Sequence, residues 1–205
     1  VTVLIPAYNE SASIADTIKS LQAQTVKPTV ILVVDDCSKD NTGQIARDLG
    51  ATVIRPEKNT GFKAGAQIFG LKQIDTEFVL AIDADTTLAP DALERILAPM
   101  ADPKNGAACG MVLPRYVKTI WERGRYVEYL FAFTFGKAIQ NHYHRPMIAS
   151  GCFTIYRTDL LRKIGAWQPR TVAEDLDLTW TFFANGYNIA FVEKAVCYPI
   201  EPHDF

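Results

Sequence analysis

The chain alternates short, continuous apolar runs with stretches where apolar residues recur every three or four positions. Residues 1–5, 30–34, 51–54 and 77–82 are rich in Val, Ile and Leu and contain no Gly or Pro. Runs of that length and composition read as strands buried on both faces. Between them, Ile14, Ile18 and Leu21, then Ile45 and Leu49, then Ala64, Ile68 and Leu71 lie at helical spacing. Ser13 is placed to cap the first helix. Asn41 with Gln44 resembles a capping box for the second, which stops at Gly50, and Pro90 opens a fourth helix at its first turn. Strands alternating with helices of this length imply right-handed crossovers and an α/β fold with a mostly parallel central sheet flanked by helices.

Past residue 107 the pattern changes. Residues 109–113 and 150–156 predict strands, with a long aromatic-rich helix over 116–140 between them. Thr158 caps a short helix ending at Gly165. Residues 174–184 form a helix that stops at Asn185-Gly186, and 188–192 return to strand. This half is mixed, and the aromatic stretch 126–135 reads either as core or as a surface facing a membrane-proximal channel. No linker separates the halves, so residues 1–205 are taken as one domain, with a nucleotide-binding half (1–106) and an acceptor half (107–205).

Asp83 and Asp85 carry the most chemical information. A buried strand ending in two acids one residue apart delivers both carboxylates to the carboxyl edge of a sheet, where open α/β sheets bind ligands. Two hard oxygen donors suit Mg2+ or Mn2+, which commonly also holds a diphosphate. The competing explanation is an ordinary turn, in which Asp is frequent. Asp35 and Asp36 end the second strand in the same way, and a carboxylate there can accept the imide N–H of uracil. Lys63, between Gly61 and Gly65 at a helix start, has the makings of a diphosphate site.

Bulk composition narrows the partners. Twenty-one basic against twenty-three acidic residues give a net charge of −2, which argues against bulk nucleic-acid binding. A chain of 205 residues buries roughly 70% of its unfolded surface and needs no staple. Cys37, Cys109, Cys152 and Cys197 are scattered, which suits a reducing compartment rather than zinc or redox pairs. His142 and His144 lack a Cys or acidic partner at ligand spacing. No run of 18 apolar residues is present, and the chain starts directly on a strand without Met, so it is expected to be a piece of a longer protein.

PAYNE (residues 6–10), VVDDCSKDNT (33–42), Lys63-Ala64-Gly65, AIDADT (81–86) and AED (173–175) occur in the order and spacing of family 2 glycosyltransferases. The resemblance covers essentially the whole chain. It is strongest to the cytosolic catalytic domains of membrane-bound polysaccharide synthases, the cellulose, hyaluronan and poly-N-acetylglucosamine synthase group.

That resemblance implies a GT-A fold and an inverting, metal-dependent enzyme. Sugar would pass from a nucleotide-sugar donor, a UDP-sugar, to a saccharide or lipid-linked acceptor at the cytoplasmic face of a membrane, reached through segments outside this chain. It also implies roles. Pro6, Tyr8, Glu10, Asp35, Asp36, Lys63 and Asp83 would bind the nucleotide, and Asp85 with Asp83 the metal. Ser150, Gly151, Cys152 and Glu174 would line the acceptor side, and Asp175 would be the general base. For Asp175 the bland alternative is a carboxylate complementing a helix N-terminus. One departure stands out: the Q-x-x-R-W motif of those synthases is absent, and the chain stops at EPHDF as that stretch would approach. A single-addition transferase loading a polyprenyl-phosphate carrier shares the early motifs. A non-catalytic nucleotide-sugar-binding domain is disfavoured by the intact Asp83, Asp85 and Asp175.

Overall fold

The computed structural model describes residues 1–143, 145–168, 171 and 173–201. The first half runs β1 (Thr2–Ala7), α1 (Ile14–Gln22), β2 (Val30–Asp35), α2 (Thr42–Asp48), β3 (Thr52–Ile54), α3 (Lys63–Leu71), β4 (Phe78–Ile82), β5 (Thr87–Leu88) and α4 (Ala92–Leu97). The second runs β6 (Asn105–Val112), α5 (Ile120–Leu130), a π-helical segment (Phe131–Lys137), α6 (Ala138–His142), β7 (Phe153–Arg157), α7 (Thr158–Lys163), α8 (Glu174–Ala184) and β8 (Asn188–Tyr198). Among the described residues the strands form one eight-stranded sheet in the order β3-β2-β1-β4-β7-β6-β8-β5.

The apolar runs explain the centre of this sheet. Leu4, Val33 and Leu80 lie in adjacent strands and are essentially inaccessible, each contributing about 1.5–3 kcal/mol through burial. β1 pairs in parallel with β2 and β4, and β2 with β3, so their carboxyl ends share one edge. Pro6 lacks an N–H for the ladder, but pairing with β4 ends at Leu4, before Pro6 is reached.

The parallel arrangement stops at β4. β7 pairs antiparallel with both β4 and β6, β5 antiparallel with β8, and β6 returns to parallel pairing with β8. The sheet is therefore mixed, with its parallel part confined mainly to the nucleotide-side half. β5 belongs to the first half of the chain yet pairs with β8, and the division at residue 106 falls inside β6. The short β5 was not apparent in the sequence, because two residues carry no periodicity.

Capping differs from expectation in four places. Ser13 makes no cap bond; its hydroxyl donates instead to the Glu10 carboxylate at 2.7 Å. Asn41 and Gln44 form no capping box: Asn41 makes no side-chain cap bond, and the Gln44 side chain reaches Asp48 instead. Pro90 stands just outside α4, with Asp91 in the capping position. Thr158 is the first helical residue rather than the cap of α7, and its buried hydroxyl has no hydrogen-bond partner among the described residues. The box that does form, Thr119 with Glu122, opens α5 four residues later than the aromatic pattern suggested.

Gly110 records how tightly the second half is packed. A Cβ at this position would stand 2.3 Å from the ring of fully buried Phe153 and 2.5 Å from the Ala195 carbonyl oxygen. Neither neighbour is the end of a flexible side chain. Gly110→Ala should therefore destabilise the fold by about 1–3 kcal/mol, lowering the melting midpoint by roughly 3–10 °C. An unchanged midpoint in thermal unfolding would contradict this packing.

Candidate active site

The carboxyl edge of the parallel strands opens into a cleft of about 440 Å³. Pro6, Tyr8, Glu10, Asp36, Lys63, Asp83 and Asp85 all line it, bringing together seven of the positions singled out from sequence. A volume of this order suits a small-molecule ligand.

Local hydrogen bonds fix the walls. After β1 the chain turns through Asn9, whose φ of 58° lies in the left-handed region that Asn tolerates. The N–H of Asn9 donates to the Ser38 hydroxyl (3.0 Å), and that of Glu10 to the Thr42 hydroxyl (2.8 Å). These bonds stitch the exit of β1 to the turn after β2. On the opposite wall, Asp36 accepts from both the N–H and the hydroxyl of Thr60, each at 2.8 Å, tying down the loop that carries Asn59, Gly61 and Phe62 into the cleft. Thr60 in turn packs where a Cβ on Gly65 would stand, 2.7 Å from its own Cβ. Gly65 thus makes room for this loop, not for a ligand. Gly61, with φ of 87°, makes the turn itself.

Asp35 and Asp36 separate in role. The Asp35 carboxylate is buried away from the cleft lining, accepting from Arg55 at 2.5 Å and from the N–H of Ser38 at 2.9 Å. The paired-acid motif suggested that both face a nucleoside; alternation along a strand sends neighbours to opposite sides.

Asp83 and Asp85 leave β4 at the cleft floor, where the intervening Ala84 carbonyl is pinned by the hydroxyl of buried Thr17 at 2.8 Å. Burial, Asp83 and Glu10 together push the Asp85 carboxyl up to about 6. Removing the proton from an acid so placed is favoured by a cation, and its oxygens are hard donors of the kind Mg2+ or Mn2+ prefers. Among the described residues no three metal-binding side chains converge. His142 is exposed against the Tyr143 ring, and His144 lies outside the described residues.

Lys63 occupies a different position from the one its helix-start location suggested. Its ammonium pairs with Asp83, lies 3.8 Å from Glu174, and donates to the Gly151 carbonyl at 3.2 Å. Burial alone would lower its pKa, but Asp83 and Glu174 hold it above the ordinary lysine range. The same residue, Gly151, donates its N–H to Asp175 Oδ2 at 3.1 Å. The two peptide groups that flank the Gly151 Cα therefore join the cleft floor to the carboxylate at the start of α8. A Cβ on Gly151 would lie 3.3 Å from Asp175 Cβ and 3.4 Å from the Lys63 ammonium, a close fit that needs only a small shift of the neighbours.

Beside it, Ser150 accepts a hydrogen bond from buried Lys137 at 2.9 Å. Cys152 is a free thiol, as are the other three cysteines. Trp167 is core, whereas Trp180 is exposed on α8. Sequence reasoning missed Phe62 and Asn59 as cleft residues. The aromatic at 62 beside a turn glycine was the available signal.

The family described as Glycosyl transferase family 2 matches residues 2–165. Poly-beta-1,6-N-acetyl-D-glucosamine synthases of Staphylococcus epidermidis and Staphylococcus aureus are each 28% identical over 207 aligned positions, covering 98% of this chain and 50% of the relative. The chain thus spans about half the length of these curated relatives. Among solved structures, the mannosyltransferase PcManGT of Pyrobaculum calidifontis, in complex with GDP-Man and Mn2+, superposes with a TM-score of 0.77 at 24% identity, covering 98% of this chain and 57% of that one. Staphylococcus aureus TarS 1–349 in complex with UDP-GlcNAc gives 0.76 at 24% identity, covering 100% and 59%. These likenesses show the GT-A fold.

The division between the paired acids has a measurable consequence. Asp35→Ala strands the Arg55 guanidinium and the Ser38 N–H, and should cost about 1–3 kcal/mol of stability. Nucleotide affinity of the folded fraction should stay within about twofold, because the side chain lies outside the cleft lining. Denaturant unfolding with calorimetry checks both, and a variant of normal stability that loses nucleotide would reverse the assignment.

Proposed function

We propose, because this chain belongs to glycosyl transferase family 2, that it is the catalytic domain of an inverting transferase moving a sugar from a UDP-sugar to a saccharide acceptor through a β linkage. The observation that carries this reading is Gly151, whose carbonyl meets Lys63 on the acid-floored cleft and whose N–H meets Asp175. A transferase needs the leaving group and the attacking group held a fixed distance apart. The names of the relatives support the substrate class: complexes with UDP-GlcNAc and GDP-Man, and synthases of a poly-N-acetylglucosamine. In this reading the enzyme acts at the cytoplasmic face of a membrane, in concert with parts of the protein outside this chain.

The chain's own residues divide the work. Tyr8 and Phe62, half exposed on the cleft lining, offer ring faces to the base, and Asp36 keeps lone pairs free to accept from it. Asp83 and Asp85 would hold Mg2+ or Mn2+, which when bound offsets the charge growing on the departing diphosphate. The Lys63 ammonium, kept protonated by its acidic neighbours, adds positive charge on the same floor. Asp175 takes the proton of the acceptor hydroxyl. Its Oδ2 is oriented by the Gly151 N–H and its Oδ1 by the Leu176 N–H, and each oxygen retains a lone pair. Glu174 borders the same space, held near Lys63. Asp36, Asp83, Asp85 and Asp175 have duties in this scheme, while Glu174 is held near Lys63 and Glu10 accepts the Ser13 hydroxyl, so the scheme assigns no acid to a covalent glycosyl intermediate. A single in-line displacement with inversion follows.

UDP should bind far more tightly with Mg2+ or Mn2+ than after EDTA treatment, because the carboxylates of Asp83 and Asp85 otherwise face the diphosphate as like charges. Equal affinities in titration calorimetry would remove the metal from the scheme. Asp175→Asn keeps the size of the side chain but not its basicity. In the full-length protein it should reduce transfer by roughly 10²–10⁴-fold while UDP affinity stays nearly unchanged. Transfer above about a tenth of the wild-type rate would end the general-base assignment.

A further inference from the structure

We infer that the outer face of the helical segment α5–π–α6 is a docking surface for an anionic lipid bilayer, so that this chain contributes its own membrane contact. The inference stands apart from the transferase reading, since it concerns a face that needs no nucleotide. Three observations carry it.

The first is a rail of large apolar side chains left in solvent. Val127, Phe131, Phe135, Ile139 and Tyr143 follow one another at intervals of four residues and are 53–71% exposed. The opposite side of the segment is engaged. The Tyr129 and Phe133 rings meet at 5.9 Å, Phe133 packs on Phe191 of β8 at 6.2 Å, Lys137 donates to Ser150, and Asn141 accepts the Phe191 N–H at 2.9 Å. That inner rail, 129-133-137-141, has the same interval of four.

The second observation is the π-helical segment Phe131–Lys137 between the rails' two ends. In an uninterrupted α-helix a four-residue interval advances by about 40° at each step, so neither rail would stay on one side. Wider π turns rotate less per residue and cancel that drift. The irregularity keeps the inner rail on the sheet and the outer rail facing outward along the whole segment.

The third is charge. Of the six basic residues in 115–147, Lys137 faces inward on Ser150, and Arg115 and Arg125 are paired with Asp16, Glu128 and Glu201, which leaves three. Lys118, Arg123 and Arg145 are exposed around the apolar rail. Trp121, 53% exposed in the first turn of α5, adds an amphipathic ring of the kind found at membrane–water boundaries. A helix with an apolar face, basic flanks and aromatic residues lies in the plane of an interface. No described helix is long and apolar enough to cross a membrane, which is consistent with lying on one. A protein partner would cover the apolar rail equally well. The basic excess around it selects phospholipid headgroups.

Sedimentation of the 205-residue chain with vesicles tests this. The wild-type chain should bind vesicles of phosphatidylcholine with about 30 mol% phosphatidylglycerol, bind pure phosphatidylcholine more weakly, and release as salt is raised. The double variant Phe131→Ser/Phe135→Ser should partition roughly tenfold or more less strongly, and Lys118→Glu/Arg123→Glu should lose the preference for anionic vesicles. Because these side chains project into solvent, melting temperature and UDP affinity should be unchanged in both variants, which separates failure of this surface from failure of the donor cleft. Absence of wild-type binding, or equal binding by the Phe variant, overturns the inference. So does self-association in sedimentation velocity that the Phe variant abolishes while neither protein binds vesicles, since the face would then belong to a second copy of the chain.

Discussion

The Lys63 ammonium is the contact on which the arrangement of the site depends. It reaches from the first turn of α3 to Asp83 at the end of β4, to the Gly151 carbonyl before β7, and toward Glu174 at the start of α8. Those four elements come from both halves of the chain, and a single positive charge holds their ends together. A cation this enclosed is costly unless paired, so the three acceptors around it are a physical requirement as much as a functional one. It also balances the floor of the cleft. Asp83 has a counter-charge, while burial, with Asp83 and Glu10 beside it, leaves Asp85 with a raised pKa.

The first half of the fold was legible because its rules are local. Continuous apolar runs such as 30–34 can only be buried strands, and parallel strands put their carboxyl ends on one edge, so the acids at 36, 83 and 85 had to meet there. The cap predictions at Ser13 and at Asn41 with Gln44 failed because Ser13 and Gln44 have alternative partners that a one-dimensional pattern does not reveal. Ser13 finds the Glu10 carboxylate, and the Gln44 amide reaches Asp48. The roles of Asp35 and Lys63 were hidden for a related reason. Arg55 and Asp83 are distant in sequence from their partners, and spacing says nothing of them.

The second half was less readable because its strands change direction. β7 runs against both its neighbours, and β8 pairs on one side with β6 and on the other with β5, so no repeating unit betrays the order. The long aromatic segment was recognised as helical, but not its division into three parts. A π turn needs no special residue: Phe131–Lys137 contains aromatic, small and basic side chains that any helix could hold. Only the sheet beneath it makes the irregularity favourable. The resemblance to a family, by contrast, was plain from sequence, because motifs at strand ends depend on the chemistry they perform more than on the packing around them.

The two rails of α5–π–α6 place an unusual constraint on how this segment can change. Substitutions along the outer rail meet only solvent or whatever covers it, so the fold is indifferent to them. A one-residue insertion or deletion is another matter. It would turn everything downstream by about 100°, carrying Asn141 away from β8 and Lys137 away from Ser150 together. The segment can therefore drift in composition while its length stays locked, because the count of residues, more than their kind, is what aligns its two faces.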